Sequence, residues 1–412
     1  MSSFQTYLVG GAVRDKLLGH PYHEHDWVVV GATPEIMSDA GYILVGKDFP
    51  VFLHPESKEE YALARSERKI AKGYQGFAIS ADPSITLEED LLRRDLTINA
   101  MAEDSEGNLI DPYGGLQDLE ARILRHVSPA FVEDPVRVLR LARFYARYAQ
   151  YGFSIADETK ALIRTMIHSG ELEALTAERV FQELLKALGE ATPHQFFNAL
   201  REVDALEILF PEVEALFGVP QTAKYHPEID SGVHTLMALE VSTQITDDLP
   251  TRFSILCHDF GKAITPPEEW PSHKLHEIRG VPIVAQFCDR LKVPKEFRDI
   301  ALKVTEFHLL MHQAFVLKPK TILKLLKKLD AIRKPQNLTR FVDACMADAR
   351  GRLHFTEREY PQREYLLTLR EALQEIDLKP LIADADRKEI PNIIERAQIK
   401  KLQETIKNYS NI

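Results

Sequence analysis

The stretch Tyr7–Gly31, YLVGGAVRDKLLGHPYHEHDWVVVG, limits the fold more than any other part of the chain. Tyr7-Leu8-Val9 is a short apolar run that reads as a strand; Gly10-Gly11 breaks it, and a helical pattern with Arg14 follows. Backbone N–H groups at such a turn, and at a helix start, form a cradle for anions. Trp27-Val28-Val29-Val30 reads as a second strand from its β-branched content. Just before it stand Glu24 and Asp26, and on extended backbone residues two apart point to one face. The two carboxylates would therefore converge, as a divalent-metal site requires. A phosphate cradle beside metal carboxylates suggests nucleotide chemistry.

From Gly41 to about Glu120, strand-like runs such as Val51–His54 and Glu60–Arg65 alternate with Gly, Pro and Asp breaks. Asp111-Pro112-Tyr113-Gly114-Gly115 is a turn signal. After about Pro135 the periodicity is helical to the end. Val180, Phe181, Leu184, Leu185 and Leu188 form one apolar face, with Thr176 as the expected N-cap. Ile322, Leu325, Leu326 and Leu329 form another, and Ile399, Leu402 and Ile406 a third. The pattern predicts an α/β head of about 135 residues and a long all-α remainder.

Two sets of polar residues carry chemistry within this frame. Arg93, Arg94 and Asp95 stand together in LLRRDLTINA, and Glu133-Asp134-Pro135-Val136-Arg137 opens a helix. Arg137, Arg140, Arg143 and Arg147 then fall in one stripe along it, with Leu139, Ala142 and Ala146 on the other side. Such a stripe can grip triphosphate oxygens and offer donors to a base edge. The second set is His234, the doublet His258-Asp259 in LCHDFGK, and Asp348 in ADARGR. Imidazole with carboxylate is a usual shell for divalent transition metals. Additional histidines, His226, His273, His276, His308 and His312, lie between or beside these, and which of them ligate is open at this point.

The net charge of -11 counts against tight, unspecific RNA binding, although a local basic stripe can still hold phosphate. Three cysteines, Cys257, Cys288 and Cys345, show no CxxC pairing, which points to a reducing cytosol and away from structural zinc. No apolar run approaches the roughly 18 residues of a membrane span, and the N-terminus lacks a signal pattern. The expected location is cytoplasmic.

GGAVRD, the acid-x-Asp pair, RRDLTINA and EDPVRVLR, in this order and spacing, resemble the class II tRNA nucleotidyltransferases. More closely, the chain is similar to the bacterial CCA-adding enzymes that carry a trailing HD phosphohydrolase domain, a likeness that thins after about Lys379. The resemblance implies an α+β fold: an N-terminal nucleotidyltransferase palm of mixed sheet and helices, then an all-α neck, body and tail containing an HD domain. The corresponding regions are a head at 1–140, a helical nucleotide- and tRNA-binding neck at 141–225, an HD domain at 226–335 and a helical C-terminal region at 336–412. It implies repair of the tRNA 3′ CCA end from CTP and ATP, by in-line attack of the 3′-OH on the α-phosphate. Gly11 and Arg14 match the triphosphate-binding turn; Arg94, Arg140 and Arg143 match further nucleotide-binding arginines. Asp134 and Arg137 match the pair that recognises C and A, Asp95 a position near the ribose, and Glu24 and Asp26 the catalytic Mg2+-binding acids. Glu24 replaces the family's Asp, which moves its carboxylate by roughly one bond length where magnesium wants near-ideal geometry.

His234, His258, Asp259 and Asp348, with Lys262 as HDxGK, resemble the HD phosphohydrolase pattern, in which His258 and Asp259 would be catalytic. That likeness implies phosphatase, 2′-nucleotidase and 2′,3′-cyclic phosphodiesterase activities with Ni2+ as metal. His273-Lys274-Leu275-His276 departs from the expected His/Gly-rich run. Two features outside these motifs read as ordinary surface: Glu60 as a strand edge, Lys318–Lys334 as an amphipathic helix with a wet face. The expected partners are tRNA, CTP and ATP, with the chain a monomer or weak homo-oligomer. Three rivals stay open: a poly(A) polymerase on the same head, an HD hydrolase whose head only binds nucleotides, and a non-catalytic tRNA-binding module.

Overall fold

The computed structural model describes residues 4–22, 25–45, 50–69, 77–80, 82–383 and 385–409. The chain divides into two compact units, Met1–Leu209 and Phe210–Ile412.

The first unit is organised by a sheet built from β1 (Gln5–Val9), β2 (Asp26–Val30), β3 (Ile43–Leu44), β4 (Val51–Leu53) and β5 (Glu60–Leu63). β6 (Ser66–Lys69) and β7 (Phe77–Ser80) pair as a separate ribbon, and β8 (Ala102–Glu103) and β9 (Leu109–Ile110) complete the sheet. Its order is β3-β4-β5-β2-β1-β8-β9, with β2 and β5 parallel and the other neighbours antiparallel. The valine run of β2 is explained by burial on both faces. Val28 packs with Val9, Leu91 and Ala102 on one side, and Val29 packs with Met37, Phe52 and Leu63 on the other. A strand covered on both sides loses its polar alternation. The register sets Val9 opposite Asp26, so the glycine turn that follows β1 and the carboxylate that starts β2 meet at one sheet edge.

The expected strands at 51–54 and 60–65 are each shorter, ending at Leu53 and Leu63. The Asp111–Gly115 turn does more than reverse the chain. The Asp111 carboxylate accepts from Gly115 N and Leu116 N at 2.7 and 2.9 Å, capping the helix Gly115–Ala121. Helices Val136–Tyr148, Asp157–His168, Ala177–Leu188 and His194–Glu202 follow. Within the first, Leu139, Ala142 and Ala146 are buried, as the pattern requires. A two-residue strand, β11 (Ser154–Ile155), interrupts the helical region and pairs in parallel with β10 (Ile123–Leu124). Thr176 occupies the N-cap position of its helix with extended backbone, but its side chain makes no capping hydrogen bond.

The second unit is helical. Its core gathers Ile322, Leu325, Leu326, Leu329, Phe341 and Leu402, with Ile399 and Ile406 packed against it. Asp230 and Asp248 accept from Val233 N and Thr251 N, both at 2.9 Å, and so start helices Ser231–Ser242 and Leu249–Cys257. The helix Pro335–Arg350 packs on both of these. That packing carries His234, His258 and Asp348, remote in sequence, to one place. No helix of the described residues is long and apolar enough to cross a membrane.

Candidate active sites

In the first unit a cavity of about 760 Å3 is lined by Gly11, Arg14, Asp26, Arg94, Asp95, Asp134, Arg137, Arg140 and Arg143, together with Arg147 and Arg179. The expected nucleotide-site residues therefore surround one space, except Glu24, which lies outside the described residues. Nine arginines and one lysine face it against four carboxylates, so its interior is cationic although the whole chain is acidic. Gly10, at φ +67° and ψ -123°, holds a backbone conformation that L side chains rarely adopt, so the turn requires glycine there.

Each arginine is held by a partner that fixes its direction. Arg14 donates from Nε and Nη2 to the two Asp15 oxygens at 2.9 Å and from Nη1 to Asn99, and its plane lies over Phe144 and Tyr148 at 5.3 Å. Tyr148 in turn donates to Asp15 at 2.9 Å. Arg93 and Arg94 share the fully buried Asp90. Arg140 donates to Asp95 at 2.7 Å, Arg143 to Glu183 at 2.8 Å, and Arg147 to both oxygens of Glu190 at 2.8 Å. No acid breaks the arginine stripe in sequence; its acids come from elsewhere, Asp95 from the link between the helical segments Leu87–Leu92 and Thr97–Asn99, and Glu183 and Glu190 from the Ala177–Leu188 helix and its end. Asp95 is buried, which alone would raise its pKa. Arg140 beside it, with hydrogen bonds from Asn99, Arg140 and Leu96 N, holds it well below the usual carboxylate range.

Asp134 and Arg137 line the cavity, joined by a backbone hydrogen bond from Arg137 N to Asp134 O at 3.0 Å, while their side chains reach further partners. Asp134 receives a two-pronged pair from Arg179, at 3.0 and 2.8 Å. Arg137 donates to the carbonyls of Ala130 and Arg93, both at 2.6 Å. Arg179 was not singled out by the sequence motifs. Its signal was there: Arg179, Glu183, Lys186 and Glu190 repeat at helical spacing opposite the apolar face. The exposed carboxylate of Asp26 on the cavity wall is a hard oxygen donor suited to magnesium. Glu60, in register with Asp26, is exposed and lies outside the cavity lining.

In the second unit His234, His258 and Asp348 are buried with their donor atoms close together, and Asp259, His276 and His308 form a second such group beside them. His234 Nε2 lies 3.1 Å from Asp348 Oδ1, and His258 Nε2 lies 3.2 Å from Asp259 Oδ2. His258 Nε2 and Asp259 Oδ1 are nevertheless buried without a hydrogen bond. Orphaned donor atoms of this kind cost free energy unless a cation takes them, so the set fits a metal. Burial pushes His308 down to about 3, aided by His258 and His276 nearby, which leaves it a neutral imidazole. Burial would raise Asp259 and Asp348, but the groups beside them hold both well below the ordinary value. For Asp259 these are His258 and Lys262, and for Asp348 they are His312 and Arg352.

The additional histidines separate by their contacts. His273 Nε2 donates to Pro220 O at 2.8 Å and its Nδ1 meets Thr265, so it ties loops together and stands apart from the donor cluster. His312 bonds Asp348 Oδ2 at 2.6 Å and the Tyr360 hydroxyl at 2.9 Å. His226 shares Glu228 with His234, Glu228 Oε1 standing 3.0 and 3.1 Å from their Nδ1 atoms. Glu228 thus braces His234 from behind, as carboxylates do for metal-binding imidazoles. A cavity of about 450 Å3 opens onto this cluster, and Lys262 and Arg352 lie on its wall. Close packing makes the arrangement possible: a Cβ on Gly261 would stand 2.0 Å from His276 O and 2.7 Å from Gly280 N.

Residues 6–125 match the family model of the poly A polymerase head domain, 152–217 that described as a probable RNA and SrmB-binding site of polymerase A, and 232–344 the HD domain. The multifunctional CCA protein of Thioalkalivibrio sulfidiphilus is 57% identical over 92% of this chain and 92% of its own length. That of Acinetobacter baylyi is 53% identical over 99% and 98%. Among solved structures, a CCA-adding enzyme in complex with CTP shares the fold, with a TM-score of 0.66 at 23% identity over 98% of this chain and 90% of that one. The chain belongs to the family of multifunctional CCA proteins, nucleotidyltransferases that carry an HD domain.

Proposed function

We propose that this chain rebuilds the 3′-terminal CCA of tRNA from CTP and ATP without a nucleic-acid template. One observation carries the reading: residues from four separate motifs line a single cationic cavity. Its volume of about 760 Å3 falls within the range of small-molecule sites. Arg14 and Arg94 are oriented to hold triphosphate oxygens beside the glycine turn. Asp95, locked by Arg140 and Asn99, supplies an acceptor for the ribose. Asp134 and Arg137 read the base edge. Asp26, with Glu24, would hold Mg2+, which when bound neutralises charge on the reacting phosphate and lowers the pKa of the attacking hydroxyl.

The HD unit, on the same proposal, is a metal-dependent phosphohydrolase acting on phosphomonoesters, 2′-nucleotides and 2′,3′-cyclic phosphates. His234, His258, Asp259 and Asp348 would hold the metal, with Ni2+ favoured by the mixed nitrogen and oxygen donors. The bound metal supplies hydroxide near neutral pH. Lys262 and Arg352, on the cavity wall, orient the substrate's phosphate oxygens. Three buried free cysteines suit a reducing cytoplasm, where the chain works as a monomer or weak homo-oligomer.

The test supplies tRNA ending before CCA, with CTP and ATP, and sequences the product ends. Addition of C, C and A followed by arrest is the expected result. Continued adenylate tailing would overturn the reading in favour of a poly(A) polymerase, and unextended tRNA would leave the head as a nucleotide-binding module.

A further inference from the structure

The cavity over the histidine cluster holds about 450 Å3, a size that suits a drug-sized ligand and far exceeds a phosphate group. Its cationic wall serves the phosphate alone. Lys262 and Arg352 stand there, fixed in direction by Asp259 at 2.6 Å and Asp348 at 3.1 Å. The remaining lining includes two large side chains that the fold leaves uncovered, Tyr225 and Leu275, 56% and 60% exposed. Exposed apolar residues scattered singly are ordinary surface. This pair differs in sharing one cavity and in standing on backbone that is held in place.

Two loops carry the pair, and hydrogen bonds tie the loops to each other. The Thr222 hydroxyl donates to Pro271 O at 3.2 Å, and His273 Nε2 donates to Pro220 O at 2.8 Å. On the first loop, Tyr225 N and His226 N both donate to Thr222 O at 3.0 Å. On the second, His276 Nδ1 donates to His273 O at 2.9 Å, and Ile278 N and Arg279 N donate to Leu275 O at 3.1 and 3.0 Å. Leu275 holds φ +59° and ψ +26°, the left-handed region that a bulky L residue rarely takes. Such backbone persists where its surroundings over-determine it, and ligand clamps are one such place. Glycine would suit the bend better, and core packing gives no reason for leucine, because the side chain faces solvent.

Tyr225 is available as well as fixed. Lys224 Nζ lies 5.3 Å from the ring centroid, over one face. Among the described residues no other ring stacks on Tyr225, and its hydroxyl makes no hydrogen bond. An aromatic ring with a face left open is the group on which nucleobases stack, since every base has a π-face. Leu275 adds apolar surface at the same cavity.

We propose that Tyr225 and Leu275 form a base-binding lip on the HD cavity: the nucleobase of a 2′-nucleotide or 2′,3′-cyclic phosphate packs on them while its phosphate lies against Lys262 and Arg352. The proposal rests on the phosphohydrolase reading and deepens it, from phosphate esters in general to nucleotide ends. Stacking tolerates any base, so the lip separates nucleotides from base-free esters rather than one base from another.

The full-length chain is assayed with Ni2+ on adenosine 2′-phosphate, uridine 2′-phosphate and glycerol 2-phosphate, the last a secondary phosphate ester without a base. Wild type should favour both nucleotides in kcat/KM. Tyr225→Ala should lower the ratio of nucleotide to glycerol ester about tenfold, mostly through KM, the size expected for one lost stacking partner. Tyr225→Phe keeps the ring and should restore the ratio. Leu275→Gly keeps the positive φ without the side chain and should lower the ratio by a smaller factor. A wild-type ratio near one, or a ratio that neither Tyr225→Ala nor Leu275→Gly moves, would overturn the lip and leave the phosphohydrolase reading standing. Wild type that hydrolyses none of the three esters would remove both.

Discussion

The two cavities of this molecule solve opposite electrostatic problems. The head cavity gathers guanidinium groups and offsets them with carboxylates placed behind, so that a cationic surface is left for a polyanion. The HD cavity gathers imidazole lone pairs and carboxylates, with Lys262 and Arg352 at its wall, so that a donor-rich core is left for cations. Acidic Glu183 and Glu190 in the head play the part that backbone carbonyls play for the histidines: each sets the direction of a side chain at the candidate site. Orientation by a second layer is common to both, and the sign of the charge presented is what differs.

The sharpest way to break the comparison is to disable each cavity in turn. Asp26→Ala removes the described carboxylate of the head site and should reduce nucleotide addition by on the order of 10³-fold or more, the range expected for losing a preorganised electrostatic group. tRNA binding should stay largely intact, and phosphohydrolase activity should be unchanged. His258→Ala should show the mirror image, with phosphate-ester hydrolysis lost to a similar extent and CCA addition spared. Single-turnover primer extension and p-nitrophenyl phosphate hydrolysis on both variants check the pair. Loss of both activities in either variant would show that the cavities are not separable.

The head was the more legible of the two because its motif residues sit near turns and on one helix. GGAVRD, RRD and the arginine stripe each name their own side chains, and the strand–turn–helix order places them at one sheet edge. Their partners were less visible. Glu183 and Arg179 sit on a helix whose apolar face dominates its pattern, and Asp90 looks like one more surface acid until its complete burial under Arg93 and Arg94 is seen. In the HD unit the His258-Asp259 doublet was legible, but the choice among the surrounding histidines was not. That choice depends on which ring nitrogen meets a carbonyl, and on the approach of Gly261 to Gly280, neither of which leaves a periodic trace.

A middle-sized effect tests whether the head's carboxylates are as essential as its arginines. Asp95 has its pKa held low in the folded chain, while in the unfolded chain it returns to about 3.9. The unfolded state therefore binds the proton more readily, and the stabilisation by Asp95 is present above about pH 4 and lost as pH falls below it. Asp95→Asn leaves Arg140 without its charged partner; because the Arg140 side chain is partly exposed and solvent screens it, the cost near neutral pH should be about 1–2 kcal/mol. The gap in melting temperature between wild type and variant should narrow as pH is lowered from 5 to 3. A constant gap across that range would assign the loss to packing rather than charge.

The smallest effect expected concerns base choice. Arg179 clamps Asp134 with two hydrogen bonds, and on the base-reading role proposed for Asp134 a clamp of that kind would fix the plane in which the carboxylate meets a base edge. Arg179→Ala should leave Asp134 present but free to rotate. Discrimination of CTP and ATP against UTP and GTP, measured as ratios of kcat/KM, should fall about tenfold, near the low end of what one well-placed bidentate contact supplies. Arg179→Lys keeps the charge and loses the planar fork, so it should restore stability more fully than it restores discrimination. If Arg179 merely braced the fold, both variants would lower kcat/KM for all four nucleotides alike and leave the ratios where they are. A shift in the ratios with Lys in place would instead show that the geometry of the clamp, beyond its charge, takes part in choosing the base.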